Sequence, residues 1–179
     1  MKKRFLKNLG GIILFFCLFI FIVKTEAAEE GSLYRSALEE VKLKRPDFAF
    51  MFFNSILKSY PNSKYTPLAL FAAAEYCFQK GDYYDAAMSL RRFISEYPRA
   101  RAKLFALAYI LEIAHMQNNQ KAIDAFEKEI ISFSKNSQFF KKRKIYKYKS
   151  PFSNIYKAIF FEDKIEIYFN NKLLVKISF

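Results

Sequence analysis

The sequence predicts a mainly α protein: an array of helical hairpins followed by a small C-terminal β-hairpin or meander. Three features predict it. Ile56-Leu57-Lys58-Ser59-Tyr60-Pro61 returns 37 residues later as Phe93-Ile94-Ser95-Glu96-Tyr97-Pro98. A weaker copy, Glu129-Ile130-Ile131-Ser132-Phe133-Ser134, stands 36 residues beyond that. After Asn136 the helical period stops, and from Ile155 the chain reads as strands. A repeat of this length signals a supersecondary unit that buries its apolar face by stacking on its neighbours.

The middle copy is the most regular. Leu70, Ala73, Ala74 and Cys77 fall on one helical face, Gly81-Asp82-Tyr83 makes a turn, Ala86 and Leu90 begin the inner face of a second helix, and Pro98 closes the unit. Small residues let paired helices approach closely, Gly permits the turn's left-handed backbone, and Pro lacks the N–H that would continue a helix. The first copy uses Leu33, Ala37, Ala49, Phe53 and Pro61, with Pro46 suited to a first helical position. It carries Glu40 where an aromatic is usual. The third uses Ala106, Tyr109, Ile110, Ile113, Ala122 and Phe126, but its turn, Asn118-Asn119-Gln120, lacks Gly, and Ser134 replaces the closing Pro. Degenerate outer copies are expected where one side faces solvent.

These spacings resemble the tetratricopeptide repeat family. The wording Gly81-Asp82-Tyr83-x-x-Ala86, then Phe93-Ile94-x-x-Tyr97-Pro98, is similar to the variety found in bacterial envelope proteins. Examples are the outer-membrane assembly lipoprotein of the barrel-insertion complex and the periplasmic protein that binds the Tol system. The resemblance covers residues 31–135. It implies a tetratricopeptide-like helical-hairpin array, about six helices in antiparallel pairs with turns near Arg45, Gly81 and Asn118. It also implies an envelope role, without selecting a complex, because repeats of this kind host many functions.

The N-terminus bears on compartment. Lys2, Lys3, Arg4 and Lys7 precede an unbroken apolar run from Ile12 to Val23, and Thr25-Glu26-Ala27 offers small residues at the outer positions of a cleavage site. Positive start, short apolar core and small exit are the parts of a secretory signal over residues 1–27. The run is short of the roughly 18 residues a membrane span needs. The alternative is an inner-membrane anchor through residues 9–23. Leu14-Phe15-Phe16-Cys17 places bulky phenylalanines where a lipidation signal carries small residues, so Cys17 reads as part of the apolar core.

Without residues 1–27 the chain keeps 25 basic and 16 acidic residues, a net +9 against +13 for the whole. That favours anionic partners without choosing one. Cys77 is then the one remaining cysteine, so hydrophobic packing and not an internal disulfide stabilises the domain. One Cys and one His, His115, cannot make a usual structural zinc site. No cofactor motif is present, and Glu39, Glu40, Glu127 and Glu129 form no convincing acid–base pair.

The segment 136–151 reads as a basic linker. Lys141, Lys142, Arg143, Lys144, Lys147 and Lys149 crowd nine positions, with Ile145, Tyr146 and Tyr148 between them. They are candidate contacts for an anionic lipid or envelope polymer; export makes nucleic acid an unsuitable ligand. In the tail, 152–179, Ile165, Ile167 and Phe169 alternate onto one face, Asn170-Asn171 is a turn signal, and Ile155 to Phe161 offers a further strand. A lone hairpin is marginal in water, so the tail is expected to dock on the helices. Phe48, Phe50, Phe52 and Phe53 cannot share one stripe of a helix, so some should meet the tail, a neighbouring element or a partner.

A second basic group, Arg91, Arg92, Arg99, Arg101 and Lys103, spans a helix end and the start of the next. It is a candidate groove for an acidic protein partner. The expected function is therefore a non-enzymatic adaptor or scaffold, periplasmic or otherwise extracytoplasmic, that binds a protein or peptide of the cell envelope. The alternative is a membrane-anchored structural protein contacting anionic lipid or polymer.

Overall fold

The structure, a computed structural model, describes residues 29–136 and 145–178. A first helix, α1, covers residues 29–42. Five more follow: α2 Pro46–Ser59, α3 Thr66–Lys80, α4 Tyr83–Glu96, α5 Lys103–Met116 and α6 Gln120–Asn136. Strands β1 Ile145–Lys149, β2 Ile155–Phe160, β3 Lys164–Phe169 and β4 Lys172–Ser178 form an antiparallel meander in the order β1-β2-β3-β4.

The 37-residue repeat is written in the backbone. Lys44, Gly81 and Asn118 all take left-handed angles, with φ of 56, 82 and 52°. The next N–H bonds back to the carbonyl five residues earlier in each case: Arg45 to Glu40, Asp82 to Cys77, Asn119 to Ala114. A left-handed residue with this back-bond closes a helix by capturing its free carbonyls. The third turn thus keeps the geometry with Asn, which tolerates left-handed angles, and the first keeps it with Lys, which does not do so cheaply. Pro46 begins α2 within its first turn, where a missing N–H costs nothing. Asp82 and Asn119 instead cap with side chains, accepting from the N–H of Asp85 and Ala122.

Burial divides the helices into two layers. In α5, 10 of 14 residues are buried, and in α3, 9 of 15; α2 and α4 bury 3 each. A helix apolar on one stripe has one covered side, whereas a helix apolar all round is covered on every side. The cover over α3 and α5 is the second helices on one side and the sheet on the other. Tyr146, Tyr148 and Tyr156 lie against Phe105, and Tyr148 and Tyr156 against Phe71. Tyr156, Ala158, Ile165, Ile167, Val175 and Ile177 join the same core as Leu107 and Leu111. Each large buried aliphatic contributes about 1.5–3 kcal/mol before the cost of ordering the chain, so packing holds the sheet in place.

One expectation changes in detail. The stretch Ile145–Lys149, read as linker, is strand β1, because Tyr146 and Tyr148 turn inward while Ile145, Lys147 and Lys149 stay exposed. The tail accordingly has four strands and docks as one layer. Asn170 and Asn171, with φ of 46 and 65°, make the β3–β4 turn; positive φ at both central residues suits the twist of a hairpin. The phenylalanines of α2 separate. Phe53 is buried edge-on to Phe152 of the tail at 5.5 Å, Phe50 stacks on Tyr76 at 4.3 Å, Phe52 is half-buried, and Phe48 is exposed under Arg45.

Candidate functional site

The densest polar arrangement lies in the seam between α3 and the tail. Helical spacing puts Phe71, Glu75 and Phe78 on one side of α3. Glu75 is completely buried. Its Oε1 accepts from Tyr156 Oη at 2.6 Å, Asn154 Nδ2 at 2.6 Å and Ser150 Oγ at 3.0 Å. Its Oε2 is sealed from solvent without a hydrogen-bond partner among the described residues. Tyr156 Oη lies 2.7 Å from Tyr109 Oη; since Tyr156 donates to Glu75, Tyr109 donates to Tyr156. Asn154 continues the chain outward, its Oδ1 accepting from Asn170 Nδ2 at 2.7 Å in the β3–β4 turn.

Electrostatics follows from this burial. Loss of solvent pushes the Glu75 carboxyl up to about 7, with the bonds from Tyr156, Asn154 and Ser150 opposing the rise. Tyr109, Tyr148 and Tyr156 are raised above the ordinary phenol range, by burial first and the nearby Glu75 second. Glu75 and Tyr156 are 0% exposed and Tyr109 is 1%, so these three are closed to a substrate, whereas Tyr148 is half-buried. The arrangement can fasten the sheet to α3 and respond to pH. Beside it, a cleft of about 290 Å³ runs between α1 and the tail, with Tyr34, Leu38, Val41, Lys42 and Lys149 in its wall.

The basic residues anticipated as contacts are dispersed. Arg91 sits over the Phe126 ring at 5.8 Å. Arg92 Nε donates to Glu96 at 2.8 Å, and Lys103 pairs with Glu129 at 3.1 Å. Arg99 and Arg101 are exposed in the α4–α5 turn, and the Arg101 carbonyl accepts from Tyr146 Oη at 2.9 Å. Three of the five side chains thus engage other parts of the chain, toward different neighbours. Lys147 and Lys149 are exposed on β1; Lys141, Lys142, Arg143 and Lys144 lie outside the described residues, as do residues 1–27 and Cys17. Cys77 is a buried thiol, pushed up to about 11 by burial and by Asp82 and Asp85, while His115 is exposed on α5. Among the described residues, no group of three or more His, Cys, Asp or Glu is placed to hold a metal ion, and no helix is long and apolar enough to cross a membrane.

Glu75 and Tyr156 do not figure among the residues singled out in the sequence, and Tyr109 figures there only as a core position of the third repeat. Glu75 had a signal: it is the single charge within Leu68-Ala69-Leu70-Phe71-Ala72-Ala73-Ala74-Glu75-Tyr76-Cys77-Phe78. A lone carboxylate in a helix apolar on every side must find donors or stay protonated.

Fold and seam together define a helical-repeat module closed along one face by its own sheet. Residues 26–155 match the YfiO family, described as an outer membrane lipoprotein, and the chain belongs to that family. The match takes in β1 and ends where β2 begins. The chain is also similar to a thermophilic TPR protein of Thermus thermophilus known from a crystal structure. The two share 20% identity at a TM-score of 0.49 over 69% of this chain, which spans 60% of that one. A search of curated proteins found no match.

Proposed function

We propose that this protein is an extracytoplasmic adaptor that holds a protein partner of the cell envelope on its second helices, α2 and α4. Membership of an outer membrane lipoprotein family supports the envelope setting. The observation that carries the choice of surface is a pair of exposed methionines. Met51 on α2 and Met88 on α4 stand 37 residues apart, at the same position of successive repeats, and both are more than half exposed. Phe48 adjoins Met51 by one helical turn and Tyr84 adjoins Met88; both are also exposed. Methionine adapts to varied contours and is over-used at binding surfaces, and aromatics anchor interfaces. The opposite face, on α3 and α5, is filled by the sheet. The test is affinity capture from the native envelope with the wild type and with Met51→Asp combined with Met88→Asp. A partner recovered by the wild type and lost by a double variant of unchanged Tm supports the assignment. Equal recovery places the partner elsewhere.

A further inference from the structure

The sheet has an inner face, spent on the core, and an outer face that the adaptor reading does not use. Pleating sends Tyr146, Tyr148, Tyr156 and Ile167 inward, so the alternate residues point out. Five of these are lysines: Lys147 and Lys149 on β1, Lys157 on β2, Lys164 on β3 and Lys176 on β4. The register sets Lys147 directly opposite Lys157, and Lys157 opposite Tyr168, whose ring lies 4.6 Å from the Lys157 ammonium. Like charges opposed across strands destabilise a sheet. Glu166 on this face is engaged by Lys164 at 2.9 Å and stands opposite Lys176, one carboxylate against five lysines along the outward strand positions. The strands therefore carry an unbalanced positive charge in spite of its cost to the fold.

We infer that this outer sheet face docks on an anionic lipid surface. Charge complementarity requires an anionic occupant, and the chemistry of the cations selects among them. They are lysines, compact and strongly hydrated on flexible stems, which suit many diffuse headgroups better than the paired carboxylate geometry that arginine reads. The same face exposes Ile145, Ile155 and Leu173 beside Tyr168. Apolar side chains interspersed with lysines match the boundary between headgroup and acyl chain, where Lys stems and Tyr rings lie with their polar ends in water. Docked this way, the sheet stands between the membrane and α3 and α5, and Met51 and Met88 remain on the far side, available to a partner.

The chain has no tryptophan, so Leu173→Trp places a unique reporter on the outer face. The full chain is bound to phosphatidylglycerol vesicles and, separately, to phosphatidylcholine vesicles, each containing a brominated lipid as quencher. The basic N-terminus, with Lys2, Lys3, Arg4 and Lys7, can itself favour the anionic vesicle, so the readout is burial of the indole on the sheet and not binding as such. The expected result is a blue-shifted, quenched indole on phosphatidylglycerol alone, reversed by about 0.5 M salt. Adding Lys147→Gln and Lys157→Gln should weaken the response about 30-fold, since each lysine near an anionic surface is worth about a factor of five. Lys58→Gln with Lys121→Gln, the same change in net charge on α2 and α6, should leave it intact. Equal quenching on both lipids, or equal loss with the Lys58 and Lys121 pair, overturns the assignment. An indole that ignores phosphatidylglycerol but shifts with a polyglutamate peptide would also overturn it, and would give the face to an acidic protein.

Discussion

Replacing Glu75 by Gln removes a titrating carboxyl from the seam while leaving an oxygen to accept from Tyr156, Asn154 and Ser150. In the folded chain the carboxyl is pushed from 4.5 to about 7. At about 1.4 kcal/mol for each pH unit, that corresponds to about 3 kcal/mol. The folded pKa is the higher one, so the folded state holds the proton more tightly than the unfolded state. The stabilising contribution is full below pH 4.5 and is lost as pH rises toward 7. Wild type should therefore lose about 3 kcal/mol across that window from this group alone, and Glu75→Gln should not. Asp47 and Glu166, both held low by their partners, act with the opposite sign, but equally in the two proteins. The difference between the two urea-unfolding profiles, taken from about pH 4.5 to about pH 8, isolates Glu75. The variant should match the wild type most closely at acid pH and gain on it steadily as the pH rises. Parallel profiles would mean that Glu75 is solvated or that the seam is open, and would refute the reasoning.

Other outcomes follow from the same geometry. Lys44→Gly should stabilise the domain by about 1 kcal/mol, because Lys44 holds a left-handed angle that Gly adopts freely. Gly81→Ala should cost a similar amount; no heavy atom lies within 4 Å of the added Cβ, so the cost is backbone strain alone, and thermal melts measure both. Ala86→Arg should destabilise by about 3 kcal/mol or more, since Ala86 is fully buried on α4 and a charged, larger side chain has no room there; an unchanged Tm would mean that the helix register is wrong. Deleting residues 150–179 should expose Phe71, Phe105 and Tyr109, raise dye binding and promote aggregation, as read by fluorescence and light scattering.

The array was legible because its repeat is carried by residue types. Gly81, Ala86 and Pro98 each answer a local steric demand, and those demands recur at fixed spacing. What escaped was held by backbone or by distant parts of the chain. The left-handed Lys44 has no sequence signature, since the carbonyls it helps to cap would accept from any residue. The β1 strand was masked by its charge: Lys147 and Lys149 suggested a solvated linker, although Tyr146 and Tyr148 carried the two-residue alternation of a strand. The docking of the sheet is signalled most strongly by α5. Phe105 to Ile113 is apolar with hardly an interruption, and such a helix needs cover on every side. The seam joins residues about 80 apart, Glu75 with Tyr156 and Asn154, a pairing that only the folded chain displays.

The seam joins the sheet and the helical array into one cooperative body, with the α3–α5 face closed. Native-state hydrogen exchange on the full chain tests this directly. Amides of β2 and β3 should exchange with the same free energy as those of α3 and α5, and Glu75→Gln should shift both sets together. A sheet that exchanges much faster than α3 and α5, with the helices still protected, would contradict the account: the face would open on its own, and α3 and α5 would be available to a partner.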